Sequence, residues 1–206
     1  MILHCINSLL KFFGIACDRP PVMIVMENCP GGSLDKHLLK EKEKIITGER
    51  ITYLLEAAYG MRYLHHKHCV HRDLAARNCL ISAEGVIKIA DFGLSAPTDV
   101  SDDNEVKMMH VPIRWMAPET LCKEPKFSKK SDVWAYGVLT YEVTFHSASL
   151  IQTFETKAVT HFSEIILSYC QLIFGSSEFE GKCHFSLLIQ SRLKRKFCIK
   201  DIDHES

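Results

Sequence analysis

The chain carries no excess of either charge. Its 25 lysines and arginines stand against 25 aspartates and glutamates, and no block of one sign is long enough for a nucleic-acid arm or a polybasic membrane tail. Neither nucleic acid nor an anionic membrane surface is therefore expected as a partner. Nine cysteines are present but none forms a Cys-x-x-Cys pair. An odd count at irregular spacing supports neither a disulfide framework nor a zinc site, and points to reduced thiols in the cytoplasm. Nowhere do about 18 uncharged apolar residues follow one another, the length that a membrane-spanning helix requires. Glu164 interrupts the best candidate, residues 158–174. The opening residues are fairly apolar, yet they lack a basic leading region, and His4, Asn7 and Lys11 break the run, so they do not read as a secretion signal. Proline is missing after Pro125, whereas seven of the 11 phenylalanines fall from Phe145 to Phe197. This change of texture separates residues 1–145 from an unassigned tail, residues 146–206.

What is present suffices for a core: 47% of the 206 residues are apolar, enough for one domain or a little more. Apolar runs at residues 9–16 and 22–26 flank Asp18-Arg19-Pro20-Pro21. That stretch is a turn, because proline presets φ and removes donors, so two neighbouring strands are expected. Gly31-Gly32 then breaks the chain, Ser33 is a candidate N-cap, and the lysine-rich residues 33–44 read as a short solvated helix. From Thr47 onward, Ile51, Leu54, Leu55, Ala58, Met61 and Leu64 recur at helical spacing, giving an amphipathic helix of about five turns. Its end, His65-His66-Lys67-His68, could be a metal site, but cations at a helix C-terminus are favoured by the macrodipole and need no ligand role. Two β-rich runs, residues 79–81 and 86–89, read as a hairpin. An acidic, proline-bearing loop over residues 95–110 follows. Residues 132–145 are apolar nearly all round and read as a buried central helix.

Between the long helix and the hairpin lies His71-Arg72-Asp73-Leu74-Ala75-Ala76-Arg77-Asn78, followed by Asp91-Phe92-Gly93 and Ala117-Pro118-Glu119. Each triplet alone is weak. Three in this order, with hairpin, loop and buried helix in place, resemble the catalytic core of protein kinases. The resemblance implies an α+β, bilobal protein-kinase-like fold and phosphoryl transfer from ATP with Mg²⁺, in which the protein positions the reactants and stabilises charge. On it, Asp73 would orient the substrate hydroxyl and accept its proton, while Asn78 and Asp91 would supply hard oxygen ligands to Mg²⁺. Phe92 would pack inward to set Asp91, and Leu80 would form the floor beneath adenine. Asp132, whose charge needs partners in a buried helix, would grip the backbone of the 71–78 loop. Arg77 takes the role that serine/threonine kinases give to a lysine two residues after the aspartate. Val111-Pro112-Ile113-Arg114-Trp115-Met116 looks like the platform for a tyrosine ring. Both departures imply tyrosine as the acceptor, so proteins bearing tyrosine are the expected substrates.

Upstream, residues 23–34 resemble the segment that links the two lobes. Met26 would be the gatekeeper, the backbone of Glu27 and Cys29 would bond the adenine edge, and Ser33 would lie near the ribose; the alternative is an ordinary strand followed by a helix cap. Met26, with the wording of residues 71–81, leans toward the cytoplasmic Fes/Fer-type kinases, although several receptor kinases share these words.

The resemblance covers residues 4–144 and departs from the family pattern in three respects. No Gly-x-Gly-x-x-Gly occurs, nor an upstream lysine on a Val-Ala-Ile-Lys-like strand, so the small lobe, residues 1–30, is expected to be truncated to its last strands. The large lobe, residues 31–145, is expected to be incomplete at its C-terminal end, because the stretch whose arginine pairs with Glu119 is not found. A buried Glu119 without that partner would cost about 3–5 kcal/mol. No tyrosine lies between Gly93 and Arg114 to be phosphorylated and pair with Arg72. Asp99, Asp102, Asp103 and Glu105 could supply fixed negative charge instead, or form a solvated acidic loop. Three readings follow: a partial tyrosine kinase domain, inactive as an isolated chain; a non-catalytic kinase-like fragment that binds tyrosine-bearing substrates or a partner kinase; and a misassembled gene product whose tail is foreign to the domain.

Overall fold

The computed structural model describes residues 7–98, 112–122 and 124–145. Asp99, Asp102, Asp103, Glu105, Val111 and the tail, residues 146–206, lie outside the described residues.

The two expected strands form an antiparallel pair, β1 (Phe12–Ala16) and β2 (Met23–Met26), in register from Gly14↔Val25 to Ala16↔Met23, with a shift between Gly14 and the Phe12↔Met26 pair. Their apolar side chains do not enter a core: Phe12, Phe13, Ile15, Met23, Ile24, Val25 and Met26 are all exposed. Where the strands rejoin the rest of the fold, Glu27 closes the pair. Its N–H donates to the Lys11 carbonyl at 2.9 Å, and its carboxylate accepts from the Lys11 N–H at 3.1 Å.

Gly32–Ser33 forms a third strand, β3, where the sequence suggested only a break. It pairs antiparallel with β5 (Cys79–Ile81), which pairs in turn with β6 (Ile87–Ile89). Gly31 makes this approach possible: its N–H donates to the Ile81 carbonyl at 3.1 Å, and a Cβ there would stand 2.6 Å from the Ile81 Cβ. The helix after Ser33 is shorter and less solvated than its lysines suggest. It spans Leu34–Glu41 (α1), a 3₁₀ turn takes Lys42–Lys44, and Leu34 and Leu38, one turn apart, are fully buried. An i, i+4 pair is enough to commit one face of a short helix to the core. A further short pair, β4 (Cys69–Val70) with β7 (Ala96–Pro97), clips the chain on either side of the motifs.

The long helix α2 (Thr47–His66) and the buried helix α3 (Lys129–Phe145) form the centre. Leu54, Ala58, Met61 and Leu64 of the sequence pattern are buried, and Tyr136 donates its hydroxyl to the Leu54 carbonyl at 2.9 Å. Arg50 is buried and pairs with no carboxylate among the described residues. Its guanidinium donates instead to the Lys42 carbonyl at 2.8 Å and to the carbonyl of Val143, tying the end of α3 and the turn after α1 to α2.

Gly60 on α2 is where residues 8–10 cross the core. The Ile89 N–H donates to the Ser8 carbonyl at 2.8 Å and the Leu10 N–H to the Ile89 carbonyl at 2.9 Å, a parallel bridge laid over the helix. A Cβ on Gly60 would sit 2.7 Å from that Ser8 oxygen and 2.9 Å from the Ile89 Cγ1. Alanine in a helix interior ordinarily gains about 1 kcal/mol over glycine, whereas overpacking a close contact costs about 1–3 kcal/mol. The obstructing atom is backbone and cannot rotate away, so Gly60→Ala is expected to destabilise, by up to about 2 kcal/mol in urea unfolding. A gain in stability would mean that the bridge does not hold in solution.

Candidate active site

The 71–78 loop is fixed from beneath by α3. Asp132, 1% exposed, accepts the His71 N–H at 2.8 Å and the Arg72 N–H at 2.9 Å, with His65 Nε2 3.0 Å away. A buried carboxylate demands such donors, and these are the partners that the sequence required of Asp132. His71 is fully buried, and burial pushes its imidazole below the usual value against the opposing pull of Asp132 and the Ala90 carbonyl. Its contacts fit a neutral ring: Nδ1 accepts the Asp73 N–H at 3.3 Å while Nε2–H donates to the Ala90 carbonyl at 3.1 Å. One side chain thus orients Asp73 and holds the residue before Asp91.

Arg72 and Asp91 both adopt positive φ, at 69° and 63°. Non-glycine residues in that region are uncommon and cluster at functional sites. Here there is one in each of the first two motifs.

Asp73 is the meeting point. One carboxylate oxygen pairs with Arg77, and the other accepts Asn78 Nδ2 at 2.8 Å, which also reaches the Asp73 carbonyl at 2.7 Å. A carboxylate held by two donors is oriented, and its remaining lone pairs can accept a hydroxyl proton. Because the Asn78 amide nitrogen is bound to Asp73, its Oδ1 is the end left for other contacts. The Asn78 carbonyl accepts the Ala90 N–H at 2.9 Å, so the strand pairing sets Asp91 beside Asn78. Asp91 is exposed. An amide oxygen and an exposed carboxylate are the hard donors that Mg²⁺ takes, and Mg²⁺ commonly uses one or two protein ligands with substrate phosphates filling the rest. Phe92 packs edge-on against the His71 ring at 5.4 Å, yet remains 37% exposed.

The upstream residues divide between two sheets, Met26 ending β2 and Ser33 lying on β3. Ser33 pairs with Leu80 in the β3–β5 register, which places it beside the strand that begins directly after Asn78. The Glu27 carboxylate meets Lys88 Nζ at 3.0 Å. Burial pushes the Glu27 carboxyl up, but Lys88 and the Lys11 N–H outweigh it, and the net direction is down. The Glu27 N–H is committed to Lys11, while the Cys29 carbonyl accepts from Gly32 at 3.1 Å. The Glu27 carbonyl and the Cys29 N–H remain for an edge-on ligand among the described residues. Met26 is 51% exposed on β2.

Two residues depart from the sequence reading. Glu119 is exposed, so the cost of burying an unpaired carboxylate does not arise; its carbonyl accepts the Lys126 N–H at 3.1 Å. Glu142, which the sequence reading passed over, joins the site: Oε2 accepts the Ala76 N–H and Trp115 Nε1, both at 3.0 Å. Burial raises its carboxyl above the usual range despite these two donors. The available signal was a lone acidic residue after Asp132 in an otherwise apolar helix. Trp115 in turn lies beneath Arg77, whose Cζ is 4.4 Å from the ring centroid.

A model described as protein tyrosine and serine/threonine kinase matches residues 2–166. Fer-related kinase 1 of Caenorhabditis elegans is 46% identical over 137 residues, 66% of this chain and 34% of that protein. The spermatocyte protein spe-8 of the same organism is 46% identical over 136 residues, again 66% of this chain but 26% of the relative. Human tyrosine-protein kinase Fer is 40% identical over 135 residues, 66% of this chain and 16% of its own length. The chain thus spans about a third or less of the length of these curated relatives. Among the described residues no helix is long and apolar enough to cross a membrane.

Proposed function

The chain belongs to the protein tyrosine and serine/threonine kinase family, and we propose that it is the part of a cytoplasmic, Fes/Fer-type protein-tyrosine kinase that orients the acceptor hydroxyl for phosphoryl transfer. The observation that carries this reading is the Asp73 carboxylate, held by Arg77 on one oxygen and Asn78 on the other, in a loop whose backbone is pinned by Asp132. Asp73 is the base that orients and deprotonates the tyrosine hydroxyl. Arg77 contributes positive charge near the moving phosphoryl group. Asn78 Oδ1 and Asp91 are the metal ligands, the Glu27 carbonyl and Cys29 N–H receive the adenine edge, Leu80 and Met26 line its pocket, and Ser33 lies by the ribose. ATP and Mg²⁺, when bound, supply the phosphoryl group and neutralise its charge.

Tyrosine is favoured over serine because the cation sits at Arg77, stacked on Trp115 of the platform segment. The substrates are accordingly proteins bearing tyrosine. As 206 residues, the chain has metal ligands and an adenine edge but no glycine-rich loop, and in isolation it is inactive. The test is a chimaera in which the upstream lobe of Fer-related kinase 1 is joined ahead of residue 7. It is expected to phosphorylate a poly-Glu-Tyr peptide and leave the serine counterpart unmodified. Equal transfer to serine would overturn the acceptor assignment.

A further inference from the structure

Glu142 does not reach the Asp73 carboxylate, yet it touches two segments that meet there. We propose that Glu142 is a positioning residue that places Arg77 against Asp73, acting through the indole of Trp115 and the backbone of Ala76. This rests on the tyrosine kinase reading for its consequence, but the contacts stand without it.

A single oxygen of Glu142 accepts both the Ala76 N–H and Trp115 Nε1, each at 3.0 Å. The two donors come from parts of the chain 66 and 27 residues away from it. Trp115 belongs to the segment before Pro118, and Ala76 opens the 3₁₀ turn Ala76–Asn78 that carries Arg77 and Asn78. Arg77 is therefore gripped from two sides. Its backbone follows a residue fixed by Glu142, and its guanidinium rests 4.4 Å from the centroid of a ring fixed by Glu142 while pairing with Asp73. A guanidinium over an indole face is held electrostatically but loosely in angle. The Trp115 N–H bond removes that looseness, because an indole tied at its edge cannot tilt beneath the cation.

Sequence position adds a second reason. Asp132 and Glu142 lie ten residues apart on α3, about 15 Å along the axis. The first holds the N–H groups of His71 and Arg72, and the second that of Ala76. Both ends of the loop around Asp73 are thus referenced to one buried helix.

The experiment uses ¹⁵N-labelled chain of 206 residues. It has two tryptophans, so Trp134→Phe assigns the Trp115 indole resonance. In Glu142→Ala, the Trp115 Nε–H signal is expected to move toward that of free indole and the Arg77 Nε–H signal to shift with it. Glu142→Gln keeps an acceptor oxygen and is expected to restore both. Binding of a poly-Glu-Tyr peptide should weaken about two- to tenfold in Glu142→Ala, the range of one lost cation–π geometry, and recover in Glu142→Gln. Unchanged Trp115 and Arg77 signals in a folded Glu142→Ala chain would overturn the proposal. Should that variant not fold, Trp115→Phe decides: it keeps a ring under Arg77 and the Ala76 bond but removes the N–H, and an unmoved Arg77 signal would be equally fatal. Absence of peptide binding in the unmodified chain counts against the tyrosine acceptor, while the resonances still decide the positioning role.

Discussion

Asp73→Asn in the chimaera is expected to cut phosphate transfer to a tyrosine peptide by about 10²–10⁴-fold, the range that a positioned general base contributes, with nucleotide affinity nearly unchanged. Asparagine has the same shape but only one acceptor oxygen. Asp73 uses both of its oxygens, one toward Arg77 and one toward Asn78 Nδ2. In the variant one of these donors would face an amide N–H₂, so the pair around the acceptor site cannot be kept intact even if the backbone does not move. The proposed metal ligands are not themselves replaced, and Asn78 keeps its bond to the Asp73 carbonyl at 2.7 Å, which holds Oδ1 outward even if the bond to the side chain is lost. Single-turnover transfer and a separate nucleotide titration check the two halves of the expectation. Turnover within about tenfold of the unmodified chimaera would remove Asp73 from the chemistry.

Residues 1–206 alone are expected to give no transfer above an Asp73→Asn control. Phosphoryl transfer relies on positioning and charge stabilisation, with the glycine-rich loop and its lysine covering the phosphates. This stretch has neither. On the proposed placement it would offer the nucleotide two hydrogen bonds, one accepted by the Glu27 carbonyl and one donated by the Cys29 N–H, each worth about 0.5–1.5 kcal/mol net. That does not offset the ordering of a flexible triphosphate. A misplacement of about 1 Å already costs on the order of 10²-fold, and loss of both phosphate-gripping groups leaves far more freedom than that. The assay is transfer to poly-Glu-Tyr with Mg²⁺ and ATP. A rate clearly above the control would show that the nucleotide site is rebuilt within this chain or by a second copy of it.

Much of the fold was legible because long periodic runs have only one good solution. The 3.6-residue pattern from Ile51 to Leu64 became α2, and the apolar stretch after Asp132 became α3. Ile87–Ile89 was readable as a strand, buried throughout. The two-residue strands β3, β4 and β7 carry no period, and they exist because partners distant in sequence come to them. The ion pair of Glu27 with Lys88 and the bonds of Arg50 to the Lys42 and Val143 carbonyls were invisible for the same reason. The site divides along the same line. Asp73, Asn78 and Asp91 are themselves motif residues, and their roles were proposed from the order of the motifs along the chain. Glu142 was not, because its two partners meet only after the chain has folded.

The double attachment of the 71–78 loop to α3 bears on when the site acquires its order. Loops that bind ligands are commonly drawn from the least protected parts of a fold and open independently of the core. This one is anchored through His71, Arg72 and Ala76 to a helix whose Val143 and Leu139 are fully buried. The loop is therefore expected to open together with the core and not before it, which amide exchange at residues 71–76 would check. Under the proposed function, the backbone around Asp73 would then take its geometry with folding and not with the arrival of a substrate.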